Sequence, residues 1–277
     1  MTESHKTPSP VAPGPVAPGP VKPVPASLPG WRVDFVHWPY PGVIAHRGAG
    51  RLAPENTLAA MRLGASHGHS MFEFDVKLTG DGKPILMHDS SLERTTNGHG
   101  LAGAATLSEI AQLDAGSWLG PAWAGEPVPT YANVVAWLLA NRMLANVEIK
   151  PSPGREAETG AVVAMASAMA WQGCAIPPLL SSFSPEALAA AQHVMPALPR
   201  ALLLHRWPSD WLEQLRRLDC VAIDANHEIL DRERIERARG EGFRVLTYTP
   251  NDPARVEQLR EWGVDCVITD AIDLIRP

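Results

Sequence analysis

Short apolar or β-branched runs alternate along most of this chain with segments whose apolar residues recur at helical steps. The runs are Val43–Ala45, Met71–Leu78, Pro84–Met87, Ala145–Ile149, Leu179–Phe183, Ala201–Leu204, Cys220–Ile223, Arg244–Tyr248 and Asp265–Thr269. Helical spacing marks Glu55–His67, Arg155–Trp171, Pro185–His193, Asp210–Leu218, Arg232–Arg239 and Pro253–Trp262, and Tyr131, Val134, Val135 and Leu138 set a further helix near 130–140. Alternation of this kind demands parallel strands joined by helical crossovers. Nine runs are one too many for an eight-stranded barrel. Gly80-Asp81-Gly82 turns the chain back sharply after Leu78, so 84–87 is predicted to return as a local hairpin. The expected fold class is α/β, a (β/α)8 TIM barrel.

Two stretches stand outside the alternation. Residues 1–30 carry nine of the 27 prolines and repeat a Val-Ala-Pro-Gly-Pro unit, which cannot build a helix or a ladder; a disordered Pro/Gly-rich tail is predicted there. Residues 31–277 then suit one barrel of roughly 250 residues. Residues 89–130, rich in glycine and scattered leucines with Trp118 and Trp123, read as a small inserted subdomain over one mouth of the barrel. Thirty acidic against 24 basic residues leave no excess of positive charge for a nucleic-acid partner. Cys174, Cys220 and Cys266 are odd in number and far apart, which fits reduced thiols in a cytoplasmic protein. No apolar run reaches the length of a membrane span.

Chemistry-bearing residues gather at the ends of the runs, where a barrel places its active site. His46-Arg47 follows the first run directly, and His88-Asp89 closes the hairpin. Two histidines at one rim offer a base and an acid near neutrality. Glu73 and Asp75 lie two apart in a strand and so share its inner face, while Phe72, Phe74 and Val76 turn towards the helices. Glu148 adds a third carboxylate from another strand, beside Lys150 on the same face. Three acids on one rim suit a hard divalent cation with oxygen ligands, and no His/Cys spacing fits zinc. A buried ion-pair network of these acids with Arg47 and Lys150 is the competing explanation.

Ile44-Ala45-His46-Arg47-Gly48, Pro54-Glu55-Asn56-Thr57, Glu73-Phe74-Asp75, Thr79-Gly80-Asp81-Gly82, His88-Asp89 and Glu148-Ile149-Lys150 occur in this order. Together they resemble the glycerophosphodiester phosphodiesterase family, above all its bacterial cytoplasmic members associated with glycerol-3-phosphate uptake. The likeness spans roughly residues 41–277. It implies a barrel with an inserted subdomain and hydrolysis of glycerophosphodiesters to sn-glycerol 3-phosphate and an alcohol. It implies His46 and His88 as the acid/base pair, and Glu73, Asp75 and Glu148 as ligands of one divalent cation; in a cytoplasmic protein Mg2+ is expected ahead of Ca2+. Arg47 and Lys150 would contact the phosphate, and Phe183 and Tyr248 the glycerol at the rim. Family members often carry Trp-Thr-Val-Asn where this chain has Tyr248-Thr249-Pro250-Asn251, which keeps an aromatic wall and adds a hydroxyl. The attacking oxygen is that of water or of the substrate's own glycerol. A lysophospholipase D-type activity on lysolipids would use the same site chemistry behind an apolar mouth. A non-catalytic phosphate-binding barrel would lack part of this residue set.

Overall fold

The computed structural model describes residues 37–277, so the tail expected at 1–30 lies outside the described residues. The strands are β1 (Val43–Ala45), β2 (Met71–Leu78), β3 (Pro84–Leu86), β4 (Leu144–Ile149), β5 (Leu179–Ser182), β6 (Arg200–Leu204), β7 (Ala222–Asn226), β8 (Arg244–Tyr248) and β9 (Cys266–Thr269). The helices are α1 (Leu58–Ser66), α2 (Leu107–Ile110), α3 (Tyr131–Ala140), α4 (Glu156–Ala170), α5 (Pro185–Val194), α6 (Trp211–Arg217), α7 (Arg232–Gly240) and α8 (Pro253–Glu261). All strands but β3 are parallel neighbours, and β1 closes the ring by pairing with both β9 and β2. β3 runs antiparallel to β2, with Val76 opposite Leu86, as the Gly-Asp-Gly turn predicts. The eight parallel strands and the helices between them form a TIM barrel.

Local chemistry sets the element ends. Thr57, Thr130, Ser184 and Asp231 each accept a backbone N–H in the first turn of the helix that follows, the usual role of short polar side chains at that position. Because Thr57 caps α1, this helix begins at Leu58 rather than at Glu55, and Glu55 and Asn56 stay in the loop above the barrel. Strand β7 also departs from the sequence reading. It runs from Ala222 to Asn226, beyond the apolar run that ends at Ile223, because its register continues: Asp224 lies beside Leu203 and Leu246, and Asn226 beside Tyr248.

The period of two sorts each strand into an inner and an outer face. Phe72, Phe74 and Val76 point outward and pack with Met61, Tyr131, Val134 and Val163 of the surrounding helices. Inside, Ile44, Met71, Leu179, Leu246 and Ile268 fill the lower barrel around Ala201 and Ala222. Tyr40 seals the N-terminal end and donates from its hydroxyl to the Pro177 carbonyl at 2.9 Å. The upper half of the same interior is polar, so the apolar floor carries a charged site at the C-terminal ends of the strands. Residues 87–130 pack around a small core of their own, built from Ile85, Met87, Leu92, Ala102, Ile110 and Val128. The Asp114 carboxylate pins that segment by accepting the backbone N–H groups of Gly116, Ser117 and Gly125. The three cysteines form no disulfide. Among the described residues no helix is long and apolar enough to cross a membrane.

Candidate active site

The site begins where β1 ends. His46 is followed by Arg47 at φ +49° and Gly48 at φ +98°, and this left-handed turn carries the chain over the mouth. A Cβ on Gly48 would meet the Ala60 Cβ of α1 at 2.7 Å, so only glycine permits this approach. The turn is anchored by the Arg47 backbone N–H, which donates to Glu73 Oε2 at 3.1 Å. His46 Nδ1 lies 2.6 Å from Asp270 Oδ1, and its Nε2 faces the interior, 3.7 Å from Glu73 Oε2. Asp270 is the first residue beyond β9. Its backbone N–H donates to Asn251 Oδ1 at 2.8 Å, and Asn251 Nδ2 points at its Oδ2 from 3.4 Å. Burial disfavours the Asp270 carboxylate, yet its bond to His46 and that ring's charge hold its pKa below the ordinary value.

His88 stands across the mouth with the same arrangement: its Nδ1 lies 2.6 Å from Asp89 Oδ1. Arg94 clamps Asp89 from the other side, with Nε 2.5 Å from Oδ2, and forks onto Glu55 at 2.7 and 2.8 Å. Glu55 in turn accepts from Arg47 Nη1 at 2.8 Å. A continuous chain of charge-assisted bonds thus joins His88, Asp89, Arg94, Glu55 and Arg47 over the mouth. Arg94 holds the Asp89 carboxyl down to about 2, against the effect of burial and with further help from His88. Burial lowers the His88 pKa, and Arg47 and Lys150 add to this against the opposing pull of Asp75 and Asp89.

Between the histidines lie Glu73, Asp75 and Glu148, all buried, each offering an oxygen within 4.8 Å of the others. Asp75 is fixed from both sides by Asn56, whose Nδ2 donates to Oδ2 at 2.8 Å and whose Oδ1 accepts the Asp75 N–H at 3.1 Å. Burial opposes its charge, but Arg47 and Lys150 override that and push its pKa far down. Glu148 accepts from Lys150 Nζ at 2.7 Å. Burial, together with the Asp75 charge, still raises Glu148 to about 7. Burial and both neighbouring acids raise Glu73 well above its usual value.

The competing ion-pair explanation can be tested on these contacts. Arg47 reaches Asp75 at 3.3 Å and Glu55, and Lys150 reaches Glu148 and, at 3.5 Å, Asp75. Neither cation pairs with Glu73. Glu73 Oε1 and Asp75 Oδ1 are buried and lack any hydrogen-bond partner. The two basic side chains therefore leave the acids under-compensated, and a divalent cation is the group this all-oxygen set fits.

A cavity of about 130 Å³ opens beside the acids, bounded by His46, Arg47, Glu148, Lys150, Phe183 and Tyr248. Phe183 and Tyr248 meet edge to face at 5.7 Å, and Lys150 Nζ sits 5.4 Å over the Phe183 ring. The Tyr248 hydroxyl donates to the Leu204 carbonyl at 3.0 Å. A second, more open cavity of about 310 Å³ shares His88, Glu148, Lys150 and Phe183 with the first and extends past Ser90 and Glu156. All nine residues singled out in the sequence thus gather at one mouth, with Asp75 just beneath the surface at 1% exposure. Sequence reasoning did not assign Asp270, Arg94 or Asp224. Asp270 follows a strand as His46 does, so the same strand-end rule reaches it. Nothing local marks Arg94. Asp224 projects into the barrel, where burial and the Glu148 charge raise its pKa well above the usual value.

Residues 46–274 match the Glycerophosphoryl diester phosphodiesterase family. The glycerophosphodiester phosphodiesterase of Caldanaerobacter subterraneus subsp. tengcongensis is 31% identical over 242 residues, covering 84% of this chain and 97% of that one. The Bacillus subtilis glycerophosphodiester phosphodiesterase is 30% identical over 247 residues, 84% of each chain. Among solved structures, an Oleispira antarctica phosphodiesterase in complex with the product sn-glycerol-3-phosphate superposes with a TM-score of 0.82. It is 37% identical and covers 85% of this chain and 95% of its own. A family match over most of the chain, two relatives at this identity matched over most of their length and a shared barrel lead to one conclusion: the chain belongs to the glycerophosphoryl diester phosphodiesterase family and is an enzyme of that class.

Proposed function

We propose that the chain hydrolyses glycerophosphodiesters to sn-glycerol 3-phosphate and an alcohol at this mouth, in the presence of a divalent cation. The observation that carries the reading is the Glu73–Asp75–Glu148 cluster flanked by two histidines, each backed by a carboxylate at 2.6 Å. The product held by the Oleispira antarctica relative supports the substrate class. Residues 89–130 act as an insertion that supplies Arg94 to the rim.

Glu73, Asp75 and Glu148 would hold the cation, and Mg2+ suits a site in which three carboxylates leave the rest of the shell to water and substrate. When bound, the cation offsets charge on the phosphoryl oxygens. Arg47 and Lys150 do the same from the protein side, where their partial burial makes each charge count more than in water. His46, with Nδ1 held by Asp270, presents Nε2 inward and takes the proton of the attacking oxygen. His88, between the two cavities, gives a proton to the departing alcohol, which leaves through the open cavity. Phe183 and Tyr248 wall the glycerol side.

The test measures sn-glycerol 3-phosphate released from glycerophosphocholine with Mg2+, with Ca2+ and with chelator, and from lysophosphatidylcholine in parallel. Release from glycerophosphocholine that needs a divalent cation is expected. Full activity in chelator, or a preference for the lysolipid, overturns the reading.

A further inference from the structure

Arg94 belongs to the inserted segment, yet its side chain crosses the mouth to carboxylates of two other loops. Its Nε and Nη2 reach Asp89 Oδ2 and Oδ1 at 2.5 and 3.1 Å, and its Nη1 and Nη2 reach Glu55 Oε2 and Oε1 at 2.7 and 2.8 Å. Each carboxylate also serves a residue assigned to the reaction. Asp89 Oδ1 lies 2.6 Å from His88 Nδ1, and Glu55 Oε1 accepts from Arg47 Nη1 at 2.8 Å. One guanidinium is thus a single carboxylate away from both the histidine and the arginine.

The insertion holds this side chain from both directions. Ser91 bridges to Leu101, and the Leu92 N–H donates to the Gly100 carbonyl at 2.9 Å. Thr96 Oγ1 donates to the Leu92 carbonyl at 2.6 Å, and Leu92, Thr95 and Thr96 are all buried, so the backbone on either side of Arg94 is pinned. A lone exposed ion pair gains little. A planar fork that matches two carboxylates at once fixes the rotation of both, which an ammonium cannot do. Without the fork, Asp89 is free to turn from His88 Nδ1. Arg47 then loses a fixed acceptor and is free to settle on the buried acids, where its Nε already lies 3.3 Å from Asp75.

We propose that Arg94 is a positioning residue for both halves of the reaction: through Asp89 it aims the His88 ring at the departing alcohol, and through Glu55 it keeps the Arg47 guanidinium at the phosphate. This rests on the phosphodiesterase reading and adds a residue, contributed by the insertion, that ties leaving-group protonation to phosphate binding. The insertion completes the site rather than merely covering it.

The experiment compares Arg94→Ala, Arg94→Lys, Asp89→Asn and Glu55→Ala with wild type near neutral pH, below the melting temperature of every variant. Turnover is read on glycerophosphocholine, whose alcohol needs a proton to leave, and on a glycerol p-nitrophenyl phosphodiester, whose phenolate does not. Affinity for inorganic phosphate in Mg2+ is read by calorimetry, which needs no turnover. Asp89→Asn should slow the choline diester about 10- to 100-fold more than the nitrophenyl diester and leave phosphate affinity within about threefold. Glu55→Ala should weaken phosphate about tenfold and slow both diesters alike. Arg94→Ala should show the two signatures together, and Arg94→Lys should resemble it, since charge without the fork does not orient. A loss of folded protein lowers both diesters by one factor and leaves their ratio unchanged. An Arg94→Ala variant with an unchanged ratio, or with unchanged phosphate affinity, overturns the proposal, as does full recovery by lysine. A wild type inactive on both diesters overturns the phosphodiesterase reading, and the phosphate affinity of Arg94→Ala still decides whether Arg94 positions Arg47.

Discussion

Asp270→Asn isolates the partner that orients His46. In the structure His46 Nδ1 lies 2.6 Å from Asp270 Oδ1, so the carboxylate accepts the Nδ1 proton and leaves Nε2 unprotonated towards the interior. Asparagine keeps the shape but can present either an oxygen or an NH2 group. Asn251 decides between them. Its own amide oxygen is taken by the Asp270 backbone N–H and the Thr269 hydroxyl, which fixes its Nδ2 towards Asp270 Oδ2. That donor keeps the asparagine oxygen on its side and turns the NH2 group to His46. The ring must then accept at Nδ1 and carry its proton on Nε2, where a base is needed. Loss of the charged hydrogen bond alone is worth roughly 1.5–3 kcal/mol, or about 10- to 150-fold. Reversal of the tautomer in the Asp–His pair of a hydrolase costs on the order of 10⁴. The expected fall in kcat therefore lies between about 10² and 10⁴. Asp270→Ala removes the orienting bond without imposing the wrong tautomer and should fall near the lower end. Steady-state release of sn-glycerol 3-phosphate from glycerophosphocholine, with melting curves as a folding check, reads both variants. Rates within fivefold of wild type in both would refute the His46–Asp270 assignment. An alanine variant slower than the asparagine variant would refute the tautomer argument.

Three further outcomes are expected. Mg2+ should raise the melting temperature of the wild type but not of Glu73→Gln, Asp75→Asn or Glu148→Gln, since the amides keep the shape and lose the charge that holds a cation; an equal rise in all four proteins would remove the cluster from consideration. His88→Ala should slow a glycerophosphocholine substrate by about 10²–10⁴ and a glycerol p-nitrophenyl diester far less, because nitrophenolate leaves without a proton; His46→Ala should slow both alike, and identical behaviour of the two variants would show that the roles are not divided. Asp89 is held down to about 2, below its ordinary value near 4, so its pairing stabilises the fold fully above pH 4 and loses effect as pH falls towards 2. Arg94→Met should therefore lower the melting temperature near pH 7 and converge on wild type as the pH falls from about 4 towards 2; a constant gap across that range would place the Arg94 contribution elsewhere.

Several features of the site are local properties of the chain and could be read from it directly. The two-residue spacing of Glu73 and Asp75 places both on the inner face because a strand alternates sides whatever surrounds it. The Gly80-Asp81-Gly82 turn sends β3 back along β2 for a reason contained in three residues. His46 and Glu148 reach the rim because their runs end there, and parallel strands all end on one side. Other features depend on closure of the ring. Asp270 meets His46 only because β9 pairs with β1 across more than two hundred residues, an adjacency that no local pattern encodes. Arg94 comes from a segment without periodicity and is positioned by that segment's own core. Asp224 was hidden by its neighbours: the apolar run stops at Ile223, so Asp224 reads as the start of a loop. Pairing with β6 and β8 extends the strand past it and turns the carboxylate inward. Hydrophobic periodicity reports burial against the helices. The polar residues of a barrel interior are placed by the partners on either side, and those partners exist only once the sheet has closed.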